Sequence, residues 1–245
     1  MTEQKRVILV TGANKGIGFE IVKKLLEQSS SKTTDIILLG SRDIKRGQDA
    51  IQQLGSPTNV HLLQLDTSSK ESIIAATNEI KQKYNGHLDI LINNAAIAPK
   101  ENSIEAVRSA FATNYYGVKM LNENLIPLLR KNGRVVNVAN FLSAVESHNL
   151  ERLGYSSEIP FPAYTVSKAA LIALTRSQAR EYSNDKNISI YAVCPGFCAT
   201  DLNNHAVGKN GAFYQDGKKL PQVCDNEAEV KAFVEHSKTL FKPKE

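Results

Sequence analysis

Tyr164 and Lys168 stand four residues apart in the run Tyr164-Thr165-Val166-Ser167-Lys168. In a helix that spacing puts both side chains on one face. An ammonium held close to a phenol favours the phenolate and draws its pKa down toward neutrality. Such a phenol can hand a proton to an oxygen that is gaining charge, as a carbonyl oxygen does when hydride reaches its carbon. The same pair on an ordinary surface helix would be inert, so its meaning depends on what the rest of the chain supplies.

A second element supplies a phosphate cradle. After the apolar run Val7–Val10 comes Thr11-Gly12-Ala13-Asn14-Lys15-Gly16-Ile17-Gly18. Gly12 allows a tight turn, Gly16 lets backbone approach a pyrophosphate, and Gly18 lets the following helix pack closely on a sheet. The start of that helix offers N–H groups and a partial positive charge to phosphates. A strand before the turn and a helix after it are the context that gives a glycine cluster this meaning. The residues of the loop from Gly12 to Gly18, with Asn14, Lys15 and Ile17, are therefore expected to hold a dinucleotide. The second strand ends Leu39-Gly40-Ser41-Arg42, without the acid that would grip a ribose 2′-hydroxyl. Lys15, Arg42 and Arg46 are instead suited to a 2′-phosphate, which Arg can grip bidentately. The expected cofactor is NADPH, or NADP+ in its oxidised form.

Short apolar runs alternate with amphipathic stretches along the chain, the pattern of βαβ units and a parallel sheet. Strands are expected at Val7–Val10, Ile36–Leu39, Val60–Leu65, Leu88–Ile92, Arg134–Val138 and Ile188–Val193, with a short seventh at Ala212–Tyr214. Helices are expected over Gly16–Gln28, Ile44–Leu54, Lys70–Tyr84, Ile104–Arg130 and Tyr164–Tyr182. Val230, Phe233, Val234 and Leu240 repeat at helical spacing and predict a C-terminal helix at 227–241. The absence of repeats or a linker makes residues 1–245 one α/β domain, a Rossmann-type doubly wound parallel sheet. The charge of +5 is spread among acids without a basic stripe, which argues against a nucleic-acid partner. No apolar run reaches the ~18 residues of a membrane span, and the start lacks a signal-peptide core. Three cysteines, an odd number in a domain of this size, favour free thiols in a reducing compartment, hence a cytoplasmic location. Cys194 and Cys198 have no second pair at ligand spacing, so no metal site is expected.

The loop TGANKGIG resembles the coenzyme loop of the short-chain dehydrogenase/reductase family, and further segments agree in order and context. Asp66 matches the family's adenine-contacting acid, and Asn93-Asn94-Ala95-Ala96 is similar to its NNAG motif, with Ala96 in place of glycine. Asn114 lies in Thr113-Asn114-Tyr115, Tyr164 and Lys168 match YxxxK, and Pro195-Gly196 matches the turn after the sixth strand. Ser41–Gln48 resembles the carbonyl reductases in particular. The resemblance covers about residues 6–202 and implies an NADPH-dependent reductase of aldehydes, ketones or quinones, a small-molecule carbonyl substrate being its partner. It implies cofactor contacts from Asn94, Ala95, Pro195 and Gly196, proton donation by Tyr164, ribose binding by Lys168, and a water-linked proton path to Lys168 supported by Asn114.

Two departures bear on that reading. The family's catalytic Ser after the fifth strand is here Asn140, which can donate to a substrate oxygen yet cannot relay through a hydroxyl. Ser143 lies three residues on. Only about ten residues separate Asp201 from Ala212, where relatives place a substrate-covering helix, so an open substrate side is expected. Both departures keep an alternative in play, a catalytically weakened NADP(H)-binding sensor or interaction protein on the same fold. The stretch before Tyr164 is longer than usual, like a shorter form of the insertion that covers the dimer surface in monomeric carbonyl reductases, so a monomer is expected.

Overall fold

The computed structural model describes residues 5–28, 35–101, 103–139, 162–182, 186–195, 212–215 and 218–219. Strands β1 (Val7–Val10), β2 (Ile36–Ser41), β3 (Val60–Gln64) and β4 (Leu88–Asn93) are separated by helices α1 (Gly16–Gln28), α2 (Ile44–Gln53) and α3 (Lys70–Lys83). There follow α4 (Ile104–Phe111), α5 (Val118–Leu125), β5 (Leu129–Val138), α6 (Pro162–Tyr182), β6 (Ser189–Cys194), β7 (Ala212–Gln215) and β8 (Lys218–Lys219). Polar caps mark where several helices start. Asp43, Ser69 and Ser103 accept from the backbone N–H groups of Arg46, Ser72 and Ala106, satisfying donors that the first helical turn leaves free.

The sheet runs β3-β2-β1-β4-β5-β6-β7-β8, and its first six strands are parallel. Side chains alternate across it. Val7, Leu9 and Leu38 face Ile73, Ile80, Leu121 and Leu125 on one side, while Ile8, Val10, Ile37 and Leu39 face Val22, Leu25 and Ala50 on the other. Burial on both faces explains why these strands read as unbroken apolar runs. The strand order reverses between β1 and β4, and at such a switch point the loops at the carboxyl ends part to form a crevice. The opposite end is tied by Arg6 to Asp35 and by Arg130 to Asp89, whose Oδ2 also accepts from the Val7 backbone at 2.7 Å.

The structure departs from the expected pattern in two places. The single helix expected over Ile104–Arg130 is broken. A π-helical turn at Ala112–Gly117 joins α4 to α5, a 3₁₀ turn with Pro127 follows, and Leu129 and Arg130 already belong to β5. Pro127 lacks an N–H and ends the helix. The residues from Arg130 to Gly133 then loop out, since Leu129 pairs with Leu88 while Arg134 pairs with Ile90. The second departure is at the sheet edge, where β7 runs antiparallel to β6 and β8 antiparallel to β7. An antiparallel return needs no crossover helix. The C-terminal helix expected at 227–241 lies outside the described residues. Among the described residues no helix is long and apolar enough to cross a membrane.

Candidate active site

The phosphate loop sits at the switch point, braced against the end of β4. Thr11 Oγ1 accepts from the Asn94 and Ala95 backbone N–H groups at 3.0 Å each. Asn94 Nδ2 donates to the Thr11 and Gly12 carbonyls at 2.9 and 3.1 Å. Asn94 and Ala95, expected to touch cofactor, therefore also build its loop. Gly12 and Gly16 take φ values of +61° and +57°, the left-handed region open chiefly to glycine. A Cβ on Gly18 would come within 2.5 Å of Asn94 Nδ2 and 2.6 Å of the Gly12 carbonyl oxygen. Glycine at this position lets the start of α1 pack against the Gly12 carbonyl and the Asn94 amide.

The end of β2 lies against the same loop. Ala13 N donates to the Gly40 carbonyl at 2.9 Å, and a Cβ on Gly40 would meet the Val10 carbonyl oxygen at 2.9 Å. Arg42, Arg46 and Lys15 are exposed around this edge, with Arg42 directly after the strand and Arg46 in the first turn of α2. Asp66 follows β3, where its Oδ1 accepts from both the backbone and hydroxyl of Ser68 at 2.9 and 2.6 Å.

Tyr164 and Lys168 do share a face of α6, which starts at Pro162, a residue suited to the first helical turn. Lys168 is fully buried. Its Nζ donates to the Val138 carbonyl on β5 at 2.6 Å and lies 5.8 Å from the centre of the Tyr164 ring. Burial lowers the Lys168 pKa from 10.5 to about 8, with Cys194 pulling weakly the other way. Burial, helped by Cys194, pushes the Tyr164 phenol above its ordinary value. The phenol pKa is thus raised where the spacing of Tyr164 and Lys168 predicts a lowering. Desolvation dominates, and the Lys168 ammonium donates to the Val138 carbonyl. The consequence is a phenol that keeps its proton at neutral pH.

Asn114 lies in the π-helical turn, an irregularity common at functional sites. Its Oδ1 accepts from Ile97 N, and its Nδ2 donates to the Ile97 carbonyl and to Ser167 Oγ, all at 2.9 Å. Ser167 Oγ in turn donates to the Tyr164 carbonyl at 2.7 Å. The carboxamide is therefore committed to joining the segment that follows β4, at Ile97, to α6. Ser167 and Thr11 were not singled out by sequence reasoning, although each stands inside a motif that was. Pro195 follows β6 at the same end of the sheet, while Asn140, Ser143 and Gly196 lie outside the described residues.

A family model described as short chain dehydrogenase matches residues 6–210. The chain is 33% identical to carbonyl reductase [NADPH] 1 of Bos taurus, over 90% of this chain and 91% of that one. It is 32% identical to (+)-neomenthol dehydrogenase of Capsicum annuum, over 82% and 86%. Among solved structures, an NADPH-bound carbonyl reductase from chicken fatty liver superposes with a TM-score of 0.72 at 26% identity, covering 85% of this chain and 82% of that one. The glycine cradle at the switch point, the Tyr–Lys face of α6 and the family match over most of the chain agree, and the protein belongs to the short-chain dehydrogenase family.

Proposed function

We propose that the protein is an NADPH-dependent reductase of aldehyde, ketone or quinone carbonyls, with Tyr164 as proton donor. The observation that carries this reading is the Tyr164–Lys168 pair, held on one face of α6 with Lys168 buried against β5 beside the crevice. The chain fits the cofactor on its own geometry. Gly12 and Gly16 in left-handed backbone and Gly18 in a space that admits no Cβ leave room for a pyrophosphate at the start of α1. Lys15, Arg42 and Arg46 supply positive charge where a 2′-phosphate would lie. The names of relatives that include NADPH support the same choice.

When bound, the reduced nicotinamide supplies hydride to the carbonyl carbon. The carbonyl oxygen gains charge as that bond forms, and the Tyr164 hydroxyl gives it a proton, completing the alcohol. Lys168, at about 8, can recharge the phenol and hold the cofactor ribose. Asn114 and Ser167 tie the Tyr164 backbone in the first turn of α6 to the segment that follows β4 at Ile97. Asn140 stands in sequence where the family has its hydroxyl, and an amide donor there would share the oxyanion load. We infer a monomer as the working form, which light scattering at micromolar concentration checks. Turnover of NADPH with a panel of dicarbonyls, simple ketones and quinones tests the activity. Tight NADPH binding with no turnover on any of them would favour the sensor or interaction reading.

A further inference from the structure

Five buried polar side chains take no part in the chemistry above. Asn93 ends β4, Asn137 lies on β5, Asn122 on α5, and Thr175 and Gln178 on α6. They form one connected network. Asn93 Nδ2 donates to Asn122 Oδ1 and to Asn137 Oδ1, both at 2.8 Å. Asn122 Nδ2 donates to Gln178 Oε1 at 2.7 Å, and Asn137 Nδ2 donates to Thr175 Oγ1 at 2.8 Å. Thr175 Oγ1 then donates to the Leu171 carbonyl at 2.7 Å. Apolar side chains would fill this space without desolvating amides, and Asn93 Oδ1 has no hydrogen-bond partner among the described residues. A network held at that cost is explained by what directional bonds do and apolar contacts do not, which is to select one arrangement.

The arrangement selected is that of α6 on the sheet. Tyr164, Lys168, Leu171, Thr175 and Gln178 recur at spacings of four and three along α6, a single stripe. Its lower half carries the two network residues and its upper half the Tyr–Lys pair. Asn137 immediately precedes Val138, whose carbonyl accepts from Lys168. Neighbouring residues of β5 thus hold α6 at two levels, one through Thr175 and one through Lys168. We infer that Asn93, Asn122, Asn137, Thr175 and Gln178 are positioning residues for the reaction, fixing the axial register of α6 and so the placement of Tyr164 and Lys168. The inference rests on the reading of Tyr164 as proton donor. A misplacement of about 1 Å in a reacting group can cost ~100-fold in rate, less than the ~1.5 Å that one residue of helix register spans.

The experiment compares Thr175→Val, Thr175→Ser and the double variant Asn122→Leu with Gln178→Met. For each, kcat, KM, the pH profile of kcat, NADPH affinity and melting temperature are measured. The expected result is a kcat about ten-fold lower for Thr175→Val and a shifted alkaline limb, with KM and NADPH affinity within about three-fold. Thr175→Ser keeps the hydroxyl and should return kcat to within about two-fold of the parent. An unchanged kcat and pH profile in Thr175→Val, whatever its melting temperature, would overturn the inference and leave the network a role in stability alone. Should Thr175→Val fail to fold, the double variant decides by the same readouts, since it removes the Asn122–Gln178 bond from both ends while Asn93 Nδ2 keeps its bond to Asn137. Tyr164→Phe, run in parallel, separates the two levels of argument. If it retains full activity, the inference falls with its premise, whatever the network variants do.

Discussion

Lys168 donates to the carbonyl of Val138 at 2.6 Å, so the cation of the Tyr164–Lys168 pair is anchored to β5. This anchorage couples the helix that carries the chemistry to the sheet that carries the phosphate loop. It also places an ammonium in a fully buried position, which has consequences for stability as well as for proton transfer.

Folding lowers the Lys168 pKa from 10.5 to about 8, so the unfolded chain holds that proton more tightly than the folded one. The buried amine therefore opposes folding most below the folded pKa and ceases to oppose it above the unfolded one. The stability of the parent protein relative to Lys168→Met should rise by about 3 kcal/mol from about pH 7 to about pH 10.5. Denaturant titrations of both proteins across that range measure it. A difference that stays flat with pH would show that Lys168 keeps an ordinary pKa.

NADPH should bind at least about ten-fold more tightly than NADH, which requires only ~1.4 kcal/mol from contacts to the 2′-phosphate. Arg42→Ala, and more strongly Ser41→Asp combined with Arg42→Ala, should erode the ratio. Fluorescence titration with both cofactors reports it, and equal dissociation constants in the parent protein would contradict the assignment.

Gly18→Ala should cost about 1–3 kcal/mol of stability, because its Cβ would press on the Gly12 carbonyl and on the Asn94 amide, which is pinned by bonds to the Thr11 and Gly12 carbonyls. Cofactor affinity should fall with it, since the same atoms shape the phosphate loop. Thermal unfolding with and without NADPH checks both. Parent-like values in each would mean that the loop has slack the geometry denies.

Much of this was legible in the chain because local rules and tertiary packing agree. The apolar run at Val7–Val10 and the glycines at 12, 16 and 18 predict a strand, a turn and a helix, and β1 and α1 have those bounds. The spacing of Tyr164 and Lys168 likewise survives as one face of α6. The π-helical turn at Ala112–Gly117 left no such trace. A Cβ on Gly117 would lie only 1.9 Å from the Thr67 carbonyl oxygen, so this turn is shaped by a neighbour distant in sequence. The outward loop of β5 was hidden for the same reason, as it depends on pairing with β4. Spacing shows that a cation stands near Tyr164, whereas only packing shows how deeply both groups are buried, so the raised phenol pKa is not legible in the sequence.

Asn140→Ser should raise kcat on a simple ketone or quinone by about ten-fold or less, since one donor to a developing oxyanion is worth about 2.7–4 kcal/mol and the amide already supplies part of it. The gain should appear in kcat without a fall in KM. A lower activity would make Asn140 a tuned donor or a specificity residue. Loss of activity in Ser143→Ala but not in Asn140→Ala would make Ser143 the working hydroxyl.

The most direct test of the account is the steady-state rate and NADPH affinity of Tyr164→Phe beside the parent protein. The change removes the phenolic proton and little else, so kcat should fall to a small fraction of the parent value while NADPH binds almost as before. If Tyr164→Phe keeps about a tenth or more of the parent kcat, the proton comes from another group and the central claim is wrong.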